Sequence, residues 1–371
     1  MRKNSVTCVL RMMRVGSVLW LSFGIATARA DQPQFVNAKL ETRAVAQNLE
    51  ASVHQIAAEA QQPQWIGYDV DAVEGDHSIC CGNHRGYDRD GDCGTCNLEQ
   101  EHGNSFTQQN GNKAVKLEGP RQLIVLLRVQ ENRVMRIRLA SEDCTLDAGG
   151  LRVVWLTGVK PEESVALLIK QVDAKDFDGH NDHHTSEEAL TAIALHADAS
   201  ADRAFASFIA PGQPERLREK ASFWLGAARG KSGLTLLQQM AKSDPAAHVR
   251  EQVTFALFVS SEPGALEEMI RMAHEDGSPH VRGQALFWLA QKAGKKAESA
   301  ITGAIQNDPD TEVKKKAVFA LSQMPKDEGI PKLIEVAQAN KNPEVRKQAM
   351  FWLGQSGDPR ALAFFEKVLS Q

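Results

Sequence analysis

Val345-Arg346-Lys347-Gln348-Ala349-Met350-Phe351-Trp352-Leu353-Gly354-Gln355-Ser356-Gly357-Asp358-Pro359-Arg360-Ala361-Leu362 opens the last of six copies of a pattern with a 32-residue period. Stepping back from Val345 in units of 32 gives Val313, Val281, Val249, Leu217 and Thr185. One position on, the column reads Arg346, Lys314, Arg282, Arg250, Arg218 and Ser186. Four on, it is Ala349, Ala317, Ala285, Val253, Ala221 and Ala189, and eight on, Leu353, Leu321, Leu289, Leu257, Leu225 and Ile193. A fixed period of roughly 20–50 residues marks a solenoid or array. Such arrays usually work by offering an extended surface.

Apolar residues at offsets 0, 4, 7 and 8 share one face of a helix turning about 100° per residue. A second apolar set near offsets 20, 23 and 24 (Leu237, Met240, Ala241; Leu333, Val336, Ala337; Phe365, Val368, Leu369) predicts a second amphipathic helix. Each unit therefore reads as two antiparallel helices that bury their stripes only by stacking on neighbours. Pro245, Pro279, Pro309 and Pro343 suit the first turns that follow the breaks between units.

The quoted stretch resembles a HEAT-like repeat of the phycobilisome-lyase type, whose pattern is V-R-x-x-A-x-x-x-L-G-x-x-G-D-P-x-A. Earlier units keep the V-R-x-x-A-x-x-x-L half and lose the Gly-Asp-Pro half. The resemblance covers residues 185–371 and implies an all-α, right-handed HEAT-like α-solenoid. Most proteins with this repeat are scaffolds. A bilin-lyase activity attaches only to the repeat's family name, and export would part the chain from the pigment. Ahead of the repeats, Trp65-Ile66-Gly67-Tyr68, Cys80-Cys81 and Cys144-Thr145-Leu146-Asp147-Ala148-Gly149-Gly150 resemble a group of secreted bacterial HEAT-repeat proteins. That likeness implies a fold and an exported location, and no reaction.

Arg2, Lys3, Arg11 and Arg14 precede an apolar run from Val15 to Ile25, and Ala28-Arg29-Ala30 precedes Asp31. A basic start, a short apolar stretch and an A-x-A site describe a secretory signal peptide cleaved after Ala30, which predicts a periplasmic or secreted protein. The run is shorter than the roughly 20 residues a membrane span needs, and the alternative is an uncleaved N-terminal anchor. Cleavage removes five basic residues and no acidic one, taking the formal charge from −4 to −9. An acidic chain without a basic stripe argues against a nucleic-acid partner. No later segment is apolar enough to span a bilayer.

Residues 31–160 predict a small β-rich, cysteine-containing domain with an N-terminal helix over 37–60, about five strands in all. Ile66, Tyr68, Val70 and Ala72 alternate as a strand does, 123–129 and 134–139 flank Glu131-Asn132-Arg133 as a hairpin, and 151–156 reads as a further strand. A helix at 161–173 is expected to cap the solenoid, and an acidic, histidine-rich linker leads to residue 184. The fold class is thus mixed, β-rich then all-α.

Cys80, Cys81, Cys93, Cys96 and Cys144 remain after cleavage. In an exported protein, clustered cysteines read first as disulfides, here two bridges from Cys80 and Cys81 to two of Cys93, Cys96 and Cys144. A zinc site using Cys93-x-x-Cys96 with Cys80, Cys81, His77 or His84 is the alternative, and a redox centre a third. Asp88, Asp90, Asp92 and Glu99 echo a calcium loop, although Cys93 stands where the sharp turn wants glycine. His180, His183 and His184 form a second candidate metal cluster, or simply part of the linker.

There is no G-x-S-x-G, P-loop, dinucleotide fingerprint or H-E-x-x-H. The expectation is therefore a non-catalytic, cofactor-free scaffold binding another envelope protein through the solenoid. Its candidate contact residues are Arg218, Arg250, Arg282, Lys314 and Arg346 at offset 1, and Phe223, Phe255, Phe287, Phe319 and Phe351 at offset 6. Each has a structural alternative. Asp244, Asp276 and Asp308 are placed to pair with the offset-1 cations, and the phenylalanines are placed to pack between units. The rival function is a metal-dependent or redox module built on Cys80, Cys81, Cys93 and Cys96.

Overall fold

The computed structural model describes residues 32–75, 79, 95–100, 121–177, 184–292 and 294–370. From Pro33 onward the chain forms one compact unit. It begins with β1 (Phe35–Val36), β2 (Lys39–Ala44), α1 (Leu49–Glu59), β3 (Gln64–Asp71), β4 (Thr95–Asn97), β5 (Gln122–Gln130), β6 (Arg133–Ser141), β7 (Thr145–Asp147) and β8 (Arg152–Thr157).

The strands make two sheets. The larger has the order β2-β8-β3-β5-β6, and the smaller β1-β7-β4. Strands β2, β8 and β3 run parallel to one another, while β3-β5 and β5-β6 are antiparallel. The β5-β6 hairpin turns on Glu131 and Asn132, both with positive φ (52° and 60°), the two-residue geometry whose twist suits paired strands. Alternate residues of the large sheet face two different cores. Ile66, Tyr68, Val125, Leu127, Ile137, Val154 and Leu156 face the helices. Trp65, Ile124, Leu126, Ala140, Val153 and Trp155 face the small sheet, with Leu98, Leu146, Cys96 and Cys144. Both faces are covered, so the central strands are apolar at nearly every position.

The helix expected over 37–60 is corrected to a strand followed by a shorter helix. Lys39–Ala44 pairs residue for residue with Arg152–Thr157, and Asn48 caps α1 by accepting from the Ala51 amide at 2.8 Å. Pairing with a strand more than a hundred residues away overrides the local period.

Helix α2 (Pro161–Ile169) and a short 3₁₀ turn (Ala174–Phe177) lead into twelve helices. The first helices of the six units are α3 (His184–Leu195), α5 (Glu215–Ala228), α7 (Ala247–Val259), α9 (Pro279–Lys292), α11 (Thr311–Gln323) and α13 (Pro343–Gln355). The second helices are α4 (Ala199–Phe208), α6 (Gly230–Ser243), α8 (Gly264–Glu275), α10 (Lys295–Asn307), α12 (Lys326–Ala339) and α14 (Pro359–Leu369). The last five first helices begin 32 residues apart, the period of the sequence. Offsets 0, 4 and 8 are buried in every unit from Leu217 to Leu353. This is a HEAT-like α-solenoid behind a β-containing N-terminal region. Helices α5 and α7 approach closely at Gly226, where a β-carbon would lie 2.1 Å from the Ala256 carbonyl oxygen.

A single apolar core runs from α1 and the large sheet through α2 and α3 to Leu353 and Phe364. Backbone bonds continue across the junction: the Val73 amide donates to the Leu195 carbonyl and the Ala197 amide to the Asp71 carbonyl, both at 2.9 Å. Among the described residues, no helix is long and apolar enough to cross a membrane.

Candidate functional site

The offset-1 cations form an internal zipper. Arg250 donates from Nη1 to the Asp244 carbonyl (2.8 Å) and from Nε and Nη2 to the Asp276 carboxylate (2.8 and 3.0 Å). Arg282 repeats this with the Asp276 carbonyl (2.9 Å) and the Asp308 carboxylate (2.8 and 3.0 Å). Arg218 grips Asp244 the same way and also donates to the Gln213 carbonyl. Each arginine thus ties together the two loops that flank its helix pair. The rigid guanidinium fork fits this task. Arg218 and Arg282 are buried, as are Asp244, Asp276 and Asp308. The Asp308 and Asp276 hydrogen bonds hold the Arg282 and Arg250 guanidinium pKa values above the ordinary one. Burial pushes the Asp276 carboxyl up, but bonds from Arg250 and the Ser278 amide outweigh it, leaving the group below its usual value. The zipper then stops. Lys314 donates to the Gln306 carbonyl, Asn340 stands where the next aspartate would be, and Arg346 reaches only the carbonyls of Asn340 and Lys341.

The offset-6 phenylalanines and offset-7 tryptophans make the most extended feature of the array. Their rings touch in the order Trp224, Phe223, Phe255, Trp288, Phe287, Phe319, Trp352, Phe351, with centroid separations of 5.1, 6.1, 4.9, 4.9, 6.1, 5.0 and 5.0 Å. The run crosses five units without a break. Ala256 and Ala320 are fully buried at the positions where the neighbouring units carry tryptophan. Small residues there leave room for the large ring from the next unit. The rings pack between units, as the large–small alternation suggests, yet they are not sealed. All are half-buried except Phe351, which is 53% exposed. Trp288 and Trp352 have indole nitrogens with no acceptor.

Sequence reasoning missed a second cluster at the junction with the sheets. His196 Nδ1 lies 2.7 Å from the Ala192 carbonyl and Nε2 lies 2.8 Å from Ser164 Oγ. A carbonyl only accepts, so Nδ1 carries the proton and Nε2 accepts from Ser164. That leaves Ser164 to accept from the Tyr68 hydroxyl at 2.9 Å. All three residues are fully buried. Burial pushes the imidazole down to about 4, the Ala192 carbonyl opposes this, and nearby Arg229 adds to it. Arg229 in turn donates to the carbonyls of Ala194 and His196 and to Asp202. This serine–histidine pair is closed to any substrate and serves as a lock between β3, α2 and α3. Nearby, Arg138 on β6 meets Glu188 on α3 at 2.6 Å. Nothing local marks these residues, because their partners come from distant parts of the chain.

Glu99, at the twelfth position of the calcium-like loop, accepts from the Trp65 indole (2.8 Å) and from Arg128 (3.0 Å). His184 opens α3. Cys96 and Cys144 are buried in the core between the two sheets. Cys80, Cys81, Cys93, Asp88, Asp90, Asp92, His180 and His183 lie outside the described residues, as do His77 and His84. Among the described residues no group of three or more His, Cys, Asp or Glu is placed to hold a metal ion.

Residues 266–349 and 299–371 match the family profile of HEAT repeats. No curated protein matches the chain. Among solved structures, the complex of CpcE and CpcF of phycocyanin lyase from Nostoc sp. PCC7120 is similar at 21% identity, over 42% of this chain and 99% of that one, with a TM-score of 0.32. Human deoxyhypusine hydroxylase in complex with glycerol is similar at 18% identity, over 56% of this chain and 90% of that one, with a TM-score of 0.24. The Escherichia coli protein YibA is similar at 15% identity, over 55% of this chain and 76% of that one, with a TM-score of 0.33.

Proposed function

We propose that this protein is a non-catalytic scaffold of the cell envelope that docks another protein on the aromatic face of its solenoid. The observation that carries this reading is the unbroken run of half-exposed rings from Trp224 to Phe351. Aromatic side chains supply large contact area with little entropy to lose and dominate docking energies. The arginine zipper stiffens the frame, which lowers the ordering cost of binding. The test uses the chain immobilised against envelope extract, with captured proteins identified by mass spectrometry. Phe351→Asp, at an exposed position, is expected to weaken retention of the true partner at least tenfold. A partner held equally well by Phe351→Asp and by Phe319→Ala rejects the aromatic face.

In this reading the chain is exported after cleavage behind Ala30, and its β-region is stapled. The bridges of this reading run from Cys80 and Cys81 to two of Cys93, Cys96 and Cys144, of which Cys96 and Cys144 are buried between the sheets. Terminal sequencing of the secreted chain, expected to begin at Asp31, and non-reducing mass mapping check both points.

A further inference from the structure

The array builds the same aromatic seam at Trp288 and at Trp352, with two substitutions beside it. Where α7 meets α9, Phe258 stacks on Trp288 at 4.7 Å and 27°. Lys292 closes over that ring, its Nζ 5.4 Å from the Phe258 centroid and bonded to the Ser260 carbonyl at 3.3 Å. Two units later Trp352 takes the same attitude to Phe319 (5.0 Å, 42°) that Trp288 takes to Phe255 (4.9 Å, 42°). The counterparts of Phe258 and Lys292, however, are Ser322 and Ser356. Both serine hydroxyls turn back onto their own helices, to the Phe319 and Leu353 carbonyls at 2.7 Å. Both residues line an open cavity of about 180 Å³, with Leu321, Met324, Ile330, Leu333 and Trp352 as its apolar wall and Gln323, Lys326 and Gln355 as its polar side.

We infer that this cavity is a receptor for an aromatic side chain of the docked protein, which stacks on Trp352 as Phe258 stacks on Trp288. The repeat itself specifies the ligand. Where the site carries its own ring, that ring is a phenyl group lying nearly parallel to the indole. A volume of about 150 Å³ is enough for benzene, so this cavity has room for one ring against its apolar wall. The offset stack contributes beyond simple burial. Trp352 both lines the cavity and touches Phe351 at the end of the aromatic face, so a protein lying along that face would reach it. The inference rests on the docking reading for the source of the ring, while the cavity's preference for a ring is tested without any partner.

The full chain, with ¹⁵N-labelled tryptophan, is titrated with N-acetylphenylalaninamide while the indole N–H signals are followed. Trp352→Phe identifies the Trp352 signal. That signal is expected to shift saturably while the Trp288 signal stays put, and N-acetylleucinamide is expected to bind at least tenfold more weakly. Ser322→Phe is expected to weaken the probe at least tenfold and to raise the melting temperature. Ser356→Lys, which restores only the covering lysine, serves if Ser322→Phe does not fold and is expected to weaken the probe in the same direction. No saturable shift, equal binding of the leucine probe, or undiminished binding by the folded variant overturns the inference. Partner retention lost in Phe351→Asp but unchanged in Ser322→Phe also overturns it while leaving the docking face intact.

Discussion

His196 shows how far one residue's surroundings set its chemistry. Its imidazole titrates near 4 when folded because burial disfavours the cation, against about 6.5 in an unfolded chain. The folded value is depressed, so its stability contribution is complete above about pH 6.5 and is lost as pH falls toward 4. At about 1.4 kcal/mol per pH unit the loss totals about 3 kcal/mol. Glu41, held down to about 2 by Arg43 and Arg152, comes into play only below its ordinary carboxylate range. Urea unfolding at pH 7 and pH 4.5 is expected to show a lower midpoint at the acid value, and His196→Gln is expected to flatten that difference. A wild-type midpoint that does not move removes the assignment. Asp308 is a second case. Its carboxylate and the Arg282 guanidinium are both buried, so Asp308→Ala leaves an unpaired buried cation. The expected cost is about 3–5 kcal/mol in chemical denaturation.

Between elements, the arginine zipper grades the seams of the array. The seams closed by Asp244, Asp276 and Asp308 are braced, while the seam at Asn340 is not. Lys314→Arg with Asn340→Asp rebuilds the brace. The pair together is expected to raise stability by about 1 kcal/mol, with neither change sufficient alone, so a double-mutant cycle should show positive coupling. Additive effects would mean that the fork is not what holds the other seams. The offsets of the acidic and basic columns were readable from the sequence, because an exact 32-residue repeat fixes loop-to-helix distances. The strand at Lys39–Ala44 was not readable, because its partner β8 lies elsewhere in the chain.

Across the whole molecule, the sheets and the solenoid share one core and a hydrogen-bonded junction at Val73, Leu195 and Ala197. The β-region therefore covers the apolar end of the first unit, the role that capping elements fill in solenoids. A chain of residues 185–371 alone loses that cover. Hydrogen exchange in α3 and α4 is expected to quicken at least tenfold relative to the full chain, while α9 to α11 change little. Unchanged protection in α3 would show that the β-region does not support the array.

The sequence by itself determined the helix pairs, their number and period, the buried offsets and the aspartates that meet the arginines. Each of these is set by spacing along the chain and by the geometry of a helix. Only the tertiary structure decided that β2 is a strand, that His196 and Ser164 lock the junction, that the rings join across five units, and that Ser322 and Ser356 border a cavity where Phe258 and Lys292 elsewhere fill the space. These depend on which distant residues meet, and a pattern of period 32 cannot show which of its own repeats leaves a hole.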